Sequence, residues 1–293
     1  MASRAGSPGR SVDCCRLIRH HDQAFARGDG MGGQMSAGTA LTVLLSVGAV
    51  GIAGHQARAA TLMEQSAETR LQLDFRVPDA ALRNALPAGW EPLIATAGPA
   101  KDANLRLIFV DRVGITDADG KPVGAGSNRM AILAIPVKQT ATGITGQMII
   151  DGLTEDPADA PGPFGVYRPA TVHRMERIYK DGAASGITGE ETWDFEAADG
   201  EHLAVHITYQ RGAPVRLSNE TKFFSGTDAN TYQVVRIEQG LDIMRNATIN
   251  VGDRVREFHY TAAGGRLAGL FDGSERVLSW DSIPWHNRTI YRP

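Results

Sequence analysis

The segment Leu71–Pro92, LQLDFRVPDAALRNALPAGWEP, determines how the fold of this 293-residue chain begins. From Arg70 to Val77 polar and apolar residues alternate strictly, which is typical of a β-strand with one buried face. A proline then opens a short helix in which Asp79 can cap the free backbone N–H groups. Leu82 and Leu86 share one face of that helix, and the next proline ends it. The segment therefore predicts a strand, a short helix at the edge of its sheet, and a turn.

Segments with strand patterns continue along most of the chain. They are Leu105–Val113, Met130–Val137, Gln147–Ile150, Glu191–Phe195, Leu203–Tyr209, Tyr232–Ile237 and Val255–Tyr260. Asp199-Gly200 lies between two of them and suits a tight hairpin turn, because such turns need residues that tolerate positive φ. Short strands at this spacing, with few short helices, predict an α+β, mainly β fold with a single curved or closed, antiparallel-rich sheet.

Burial is predicted on one face of the first strand and on the helix. The residues concerned are Leu71, Leu73, Phe75, Val77, Leu82 and Leu86. No internal repeat and no interdomain linker is evident in the sequence. We predict an irregular N-terminal extension over 1–34, a signal peptide over 35–59, a short linker over 60–67 and a single domain over 68–293.

An uncharged apolar run, Leu41–Ala53, supports the signal peptide. It leads into Ala57-Arg58-Ala59, a small-x-small triplet that suits cleavage by a signal peptidase. The alternative is a membrane anchor formed by residues 37–54. We favour cleavage, because a spanning helix needs about 20 strongly apolar residues and this segment is diluted by glycine, serine and threonine. The prediction is export to the periplasm or the medium, with no stable membrane insertion after cleavage.

Composition excludes several classes of chemistry and of partner. Cys14 and Cys15 both precede the predicted cleavage site, so the mature chain would contain no thiol nucleophile and no cysteine metal site. The formal net charge is −3 and no run of like charges occurs, so nucleic acid is not predicted as a partner.

Two histidines in HLAVH invite a metal site by their spacing. However, Leu203, Val205 and Ile207 alternate with them, which indicates a strand. His202 and His206 would then lie roughly 13 Å apart, at about 3.3 Å per residue, too far to bind one ion directly. The sequence also contains no phosphate-binding glycine loop and no zinc-protease helix motif. No metal and no cofactor is therefore predicted.

The segment Leu71–Pro92 resembles the opening of the acetoacetate decarboxylase superfamily. Members begin with a strand, a short helix and a Leu-Pro-x-Gly turn, which is Leu86–Gly89 here, and the later order of strands is also similar. The segments with similar order are Ile108–Asp111, Met130–Val137, Met148–Asp151, Gly269–Phe271 and Ile283–Trp285. The resemblance implies an acetoacetate decarboxylase-like barrel over Glu68–Pro293.

The resemblance also implies a lysine that condenses with a substrate carbonyl to form an imine. Such a lysine must be neutral, so a buried site or a neighbouring cation lowers its pKa. Two placements of the family's lysine segment fit after the loop Thr154–Gly165. The first, Gly165–Ala170, keeps a glycine and a proline but has alanine at the lysine position. The second, Arg174–Lys180, keeps Arg, Glu and Lys but loses the proline. We favour the first, in which the lysine is missing.

The family's glutamate at the head of the central strand is replaced here by Asn128-Arg129. Loss of both groups would leave a pocket of cationic character. We therefore expect an exported protein that holds a small carbonyl or carboxylate compound, such as an oxo acid, in an apolar barrel cavity. Ile132 or Val205 would supply its apolar wall. The expected ligand-binding residues are Arg129, Tyr167, Arg174 and Arg177.

The alternative is an enzyme, a decarboxylase or aldolase-type lyase acting on a small oxo acid. Lys180 would then form the imine, with Glu176 as its catalytic neighbour. In this case Arg174 or Arg177 would lower the pKa of Lys180 in the mouth of the barrel. The sequence leaves both the binding function and the enzymatic function open.

Overall fold

Strands dominate residues 60–182 and 186–293, the part of the chain that the computed structural model describes. The twelve strands within those ranges are β1 Thr61–Arg76, β2 Trp90–Pro92, β3 Leu105–Asp117, β4 Ser127–Gln139, β5 Thr145–Thr154, β6 Tyr167–Gly182, β7 Gly186–Ala197, β8 His202–Gln210, β9 Val215–Ser225, β10 Tyr232–Asn246, β11 Val255–Ala263 and β12 Arg276–Arg292. The helical elements are α1, Asp79–Ala85, and two 3₁₀ helices, Pro157–Asp159 and Gly265–Gly269.

Seven of these strands close into a barrel, in the order β5–β9–β10–β12–β1–β3–β4 and back to β5. Strand β5 has three partner strands. One edge pairs with β4, and the other edge is divided between β9 and β6. Gln147–Ile149 pair with β9, and Gly152–Thr154 pair with β6, both in parallel. From β6 the sheet continues outside the barrel as β6–β7–β8–β11, with antiparallel pairs. The predicted mainly β fold, with one closed and antiparallel-rich sheet, is confirmed.

The larger hydrophobic core lies between the outer face of the barrel and the sheet β6–β7–β8–β11. Leu71, Leu73 and Phe75 pack there against Trp193 and Phe195 of β7. Val77 and Leu82 are buried in the same core, and Leu86 packs against it while partly exposed. The burial predicted from the alternation in β1 is therefore confirmed.

The opposite, polar face of β1 is also buried, because the barrel encloses it. Arg70, Gln72 and Asp74 are all buried on this side. Asp74 accepts a 2.7 Å hydrogen bond from Nε of Arg106 and lies near a second carboxyl group, that of Asp281. Burial, followed by the negative charge of Asp74, raises the pKa of Asp281 to about 8. An alternating strand thus has an apolar and a polar face here, and neither is solvated.

The predicted linker over 60–67 is wrong, because Thr61 already begins β1 and pairs with Arg292 of β12. The strands β2, β6, β9 and β12 were not predicted as such. In β9 and β6 polar residues follow one another without apolar alternation, since much of both strands lies at the surface.

The predicted extension over 1–34 and the signal peptide over 35–59 lie outside the described residues. Within the described ranges, the structure contains no helix of sufficient length and apolar character to span a membrane.

Candidate functional site

A small cavity lies inside the barrel, under the loop that follows β5. Its volume is about 20 Å³. The lining residues are Arg70, Ile108, Ile132, Ile149, Pro161, Phe164, Tyr167, Phe223, Gln233, Val235, Arg288 and Ile290. Most of them are apolar, and the polar groups come from β1, β6, β10 and β12. The cavity is thus an apolar chamber into which two arginines project.

The loop over the cavity is held by its backbone. The carbonyl oxygen of Phe164 accepts hydrogen bonds from the hydroxyl groups of Ser225, at 2.5 Å, and Thr227, at 2.9 Å. The Phe164 side chain packs against the apolar residues of β3, β4 and β5 inside the barrel. Gly162 and Gly165 have φ values of +79° and +66°, which let the chain turn tightly on either side of Phe164. The loop therefore closes the chamber over the two arginines.

Glu68 is surrounded by three arginines. Nε of Arg70 donates a 2.6 Å hydrogen bond to Oε2 of Glu68. Nη2 of Arg288 lies 2.9 Å, and Nε of Arg112 lies 3.4 Å, from Oε1. The strand register explains this cluster, because Glu68 faces Arg112 on β3 and His286 on β12. Residues directly opposite on neighbouring strands bring their side chains together.

The cluster has an excess of positive charge. Arg70, Arg112 and Arg288 face two carboxylates, those of Glu68 and of Glu64, which pairs with Arg112. Burial alone would raise the pKa of Glu68, but the positive charges of Arg288 and Arg70 lower it well below its usual range. Burial lowers the pKa of Arg70 to about 10, which still leaves it protonated at neutral pH. The formal charge of the five groups is therefore +1.

Several polar atoms of the cluster are buried without a hydrogen-bond partner. Arg288 has two such donors, Nε and Nη2, and its 2.9 Å contact with Glu68 is an ion pair without a hydrogen bond. Nε of Arg112 and Oε1 of Gln233 are also buried without a hydrogen-bond partner. Buried polar groups normally have partners. Unused donors beside a cavity therefore indicate a place for an acceptor-bearing ligand.

His286 and Tyr167 border the cluster in neutral form. Nδ1 of His286 lies 2.8 Å from Oε1 of Gln239 and donates to it, so Nε2 bears the lone pair. Burial, and then the charge of Arg70, lowers the pKa of His286 well below its ordinary value. Burial raises the pKa of Tyr167 to about 12, although Arg288 and Arg112 oppose the shift. The Tyr167 hydroxyl is therefore protonated at neutral pH.

Of the residues that the sequence predicts for the site, the structure places Tyr167 and Ile132 in the cavity wall. Val205 instead lies in the core outside the barrel. Arg129 was expected to bind the ligand, but its side chain is 41% exposed and lies 3.4 Å from Asp111. Its position on β4 turns it away from the chamber, so Arg129 is not among the residues of the cavity wall.

The predicted site residues on β6 lie farther away. After Pro169 this strand leaves β5 and pairs with β7 on the outer sheet. Arg174 is 66% exposed and donates a hydrogen bond to Glu176. Arg177 pairs with Glu191 and stacks over Trp193. None of these three predicted residues, Arg174, Glu176 and Arg177, lines the cavity.

Lys180 is 64% exposed and donates a 3.0 Å hydrogen bond to Glu190 at the surface. The lining residues of the cavity include no lysine. The chain has five lysines, all within the described ranges: Lys101, Lys121, Lys138, Lys180 and Lys222.

Sequence reasoning missed Glu68, Arg70, Arg112, Gln233 and Arg288. A signal for two of them was present, because Glu68 and Arg70 continue the polar face of β1 with charged residues. Charged side chains on the polar face of a strand normally indicate solvent. Only closure of the barrel reveals that this face is inside.

One group of side chains has ligand atoms close enough for a metal ion. Asp194, Glu196 and His202, on β7 and β8, place one ligand atom each within 4.8 Å of the others. All three are partly exposed on the outer sheet, and His202 forms a 2.8 Å hydrogen bond with Asp194. His206 is not part of this group, as its spacing on the strand predicts.

No protein-family model matches this chain, and no curated protein matches it. Similar solved structures include the enduracididine biosynthesis enzyme MppR complexed with pyruvate. Its sequence identity is 14% and its TM-score 0.48, with 82% of this chain and 92% of that chain covered.

Two further similar structures carry the name of acetoacetate decarboxylase. An acetoacetate decarboxylase-like enzyme from Sphingomonas wittichii RW1 has 11% identity and a TM-score of 0.47, covering 79% of this chain and 91% of that chain. The acetoacetate decarboxylase of Legionella pneumophila subsp. pneumophila str. Philadelphia 1 has 10% identity and a TM-score of 0.47, covering 78% and 85%. Identities and TM-scores this low do not transfer an activity. Acetoacetate decarboxylase-like proteins are thus among the solved structures to which this chain is similar.

Proposed function

We propose that the barrel cavity binds a small monocarboxylate, such as an oxo acid, through Arg288 and Arg70 and without an imine. The observation that supports this most is the buried guanidinium of Arg288, whose Nε and Nη2 donate no hydrogen bond. A carboxylate offers two oxygens that match the fork of an arginine. It would satisfy donors that are otherwise costly to bury.

Charge favours a ligand with one negative charge. The cluster of Arg70, Arg112, Arg288, Glu64 and Glu68 has a formal charge of +1, and Tyr167 and His286 are neutral. One carboxylate would neutralise this excess. A second carboxylate on the ligand would be buried without a cation to balance it, which costs several kcal/mol.

Size and polarity favour a short ligand. The cavity has room for about one water molecule as it stands. A three-carbon acid therefore requires a shift of the loop around Phe164. Its short hydrocarbon part would contact Ile108, Ile132 and Ile149, and its polar end would face Tyr167 and Gln233.

The absence of lysine from the lining supports binding without a covalent step. A protonated, exposed lysine is a poor nucleophile, since its reference pKa is about 10.4. Lys180, the residue of the alternative lyase function, lies at the surface beside Glu190. No observation on the described residues favours that alternative.

The test measures binding of pyruvate by isothermal titration calorimetry to the purified wild type and to Arg288→Met. Loss of one charged hydrogen bond costs about 1.5–3 kcal/mol, which is roughly a 10- to 150-fold loss of affinity. The variant should remain folded, because two cations and two carboxylates then balance. Arg129→Met is the matched control and should bind like the wild type. Equal pyruvate affinity in the wild type and in Arg288→Met, or no binding by a folded wild type, would overturn the proposal.

We also propose that the protein is exported after cleavage behind Ala59. The sequence support is the Leu41–Ala53 run and the Ala57-x-Ala59 triplet. A further support is that β1 begins at Thr61, so a cut at this place would leave the first strand intact. N-terminal sequencing of the exported protein should begin at Ala60 or within a few residues. A mature chain that retains Leu41 would contradict the proposal.

A further inference from the structure

The first part of β9 has an open edge. Strand β10 pairs with β9 from Val215 to Phe224, whereas β5 pairs only with Phe223–Ser225. Among the described residues, no other strand pairs with β9. The whole segment from Val215 to Glu220 is exposed, including Val215 at 63% and Leu217 at 40%. Residues 215–221 therefore form a strand with two exposed faces and one free edge.

A free edge presents backbone N–H and C=O groups that can pair with another strand. Proteins commonly block such edges with proline, lysine or a bulge. Residues 215–221 contain neither proline nor lysine, and the register with β10 has no bulge over Val215–Phe224. Apart from the charged side chains of Arg216 and Glu220, this edge therefore lacks the features that prevent pairing with another chain.

The charges along the edge are complementary to themselves. In an antiparallel pair of two copies centred on Ser218, Arg216 lies opposite Glu220 of the second copy, and this happens twice. Centring on Arg216 or on Glu220 would place like charges opposite each other. Centring on Asn219 would oppose Arg216 to Lys222, and a parallel pair in register would also oppose like charges. Centring on Thr221 would oppose Glu220 to Lys222, but it would overlap the part of β9 that already pairs with β5. Within the free edge, only the Ser218 register joins opposite charges directly.

The neighbouring strand extends the same pattern. Within one chain Arg216 pairs with Glu238 at 3.0 Å, and Glu220 pairs with Arg236 at 2.6 Å. Pairing of two copies would therefore create a row of side chains whose charges alternate in sign. The order across the interface would be Glu238, Arg216, then Glu220 and Arg236 of the second copy. Networks of alternating charges contribute more than isolated surface pairs.

We propose that the β9 edge joins two copies of this chain, with an antiparallel β9–β9 pair about a two-fold axis at Ser218. A two-fold contact uses the same patch on both copies, as this edge allows. The free edge lies beyond Phe223, the residue at which β9 reaches the cavity. The interface is therefore independent of the proposed ligand site.

The test measures the molar mass of the purified protein by light scattering over a range of concentrations. The wild type should have twice the mass of the chain. Glu220→Arg places the new arginine opposite Arg216 of the other copy at two symmetric positions. It should weaken the dimer about tenfold or more. The double variant R216E/E220R restores opposite charges across the interface, although it opposes like charges to β10, and should recover the dimer. Arg174→Glu, an exposed charge reversal on β6, is the matched control and should dimerise like the wild type.

Hydrogen–deuterium exchange on the wild type gives a second result that does not depend on the folding of a variant. Amides within 215–221 should become more protected as the protein concentration rises. A wild type that is monomeric throughout, a dimer unaffected by Glu220→Arg, or dissociation of the dimer on dilution without a change of exchange in this segment would overturn the proposal.

Discussion

Glu68 and Arg112 face each other across the β1–β3 pair, and the barrel encloses both side chains completely. A buried carboxylate and guanidinium are tolerated only when the charges around them nearly cancel. The carboxylate of Glu68 is shared by three arginines, because Arg70 and Arg288 contact it as well. Stability and the proposed ligand binding would therefore depend on the same few groups.

Glu68→Gln should destabilise the protein strongly, since it leaves three buried arginines with one carboxylate. Breaking a buried ion pair on one side costs roughly 3–5 kcal/mol. Urea denaturation measures the loss in the free energy of unfolding. The control, Glu176→Gln, changes an exposed partner of Arg174 and should cost about 0.5 kcal/mol or less. A similar, small effect of both changes would contradict the assigned role of Glu68.

Borohydride reduction in the presence of pyruvate should leave Lys180 unmodified. The lysine is exposed, donates a hydrogen bond to Glu190 and does not line the cavity. Mass spectrometry of proteolytic peptides checks all five lysines. A stable adduct on Lys180 would favour the lyase function instead.

Asp281→Asn should change how stability depends on pH. The pKa of Asp281 is raised to about 8 in the folded state, against about 3.9 in an unfolded chain. Between these values the folded state binds more protons than the unfolded state. The free energy of unfolding therefore falls as pH rises from about 4 to 8, by at most about 1.4 kcal/mol per pH unit from this group.

The variant lacks this slope. Its stability relative to the wild type should rise with pH across the same window and level off above about pH 8. Urea titrations at several pH values provide the comparison. A stability difference that is independent of pH would show that Asp281 ionises at its ordinary pKa.

Gly152→Ala should disturb the cavity, because a Cβ atom at this position would lie 2.8 Å from the ring of Tyr167 and 2.9 Å from the Ala131 carbonyl oxygen. Overpacking of this kind typically costs about 1–3 kcal/mol. Gly252→Ala is the matched control, since a Cβ atom added there would have no neighbour within 4 Å. Thermal unfolding should separate the two variants, and equal melting temperatures would argue against the close packing of Tyr167.

Local pattern was sufficient to predict α1 and the second half of β1, whereas Thr61–Thr69 was not predicted as a strand. The alternation in Leu71–Val77 and the proline boundaries of the helix depend only on neighbours in sequence. Strand β12 was not recognised from its pattern, because the partners of its polar segment lie on β1 and β10, which are far away in the chain.

The site was harder to predict for the same reason. The sequence identifies a cationic pocket, but it does not show which face of each strand the barrel encloses. Arg129 was chosen for its place at the head of a strand, whereas Arg70 and Arg288 become neighbours only when β1 pairs with β12. The sequence pointed to Tyr167, because the resemblance places the site in the segment that follows Gly165, and this residue lines the cavity.

The pairing of Thr61 with Arg292 joins two strands that lie far apart in the sequence. The first of the described strands is thus enclosed by the last of them, so the buried charges of β1 are shielded from water only when both strands are present. Contacts between residues so far apart in sequence form slowly, because a long loop must close first. Until β12 is available, the polar face of β1 stays in water and the chain remains open.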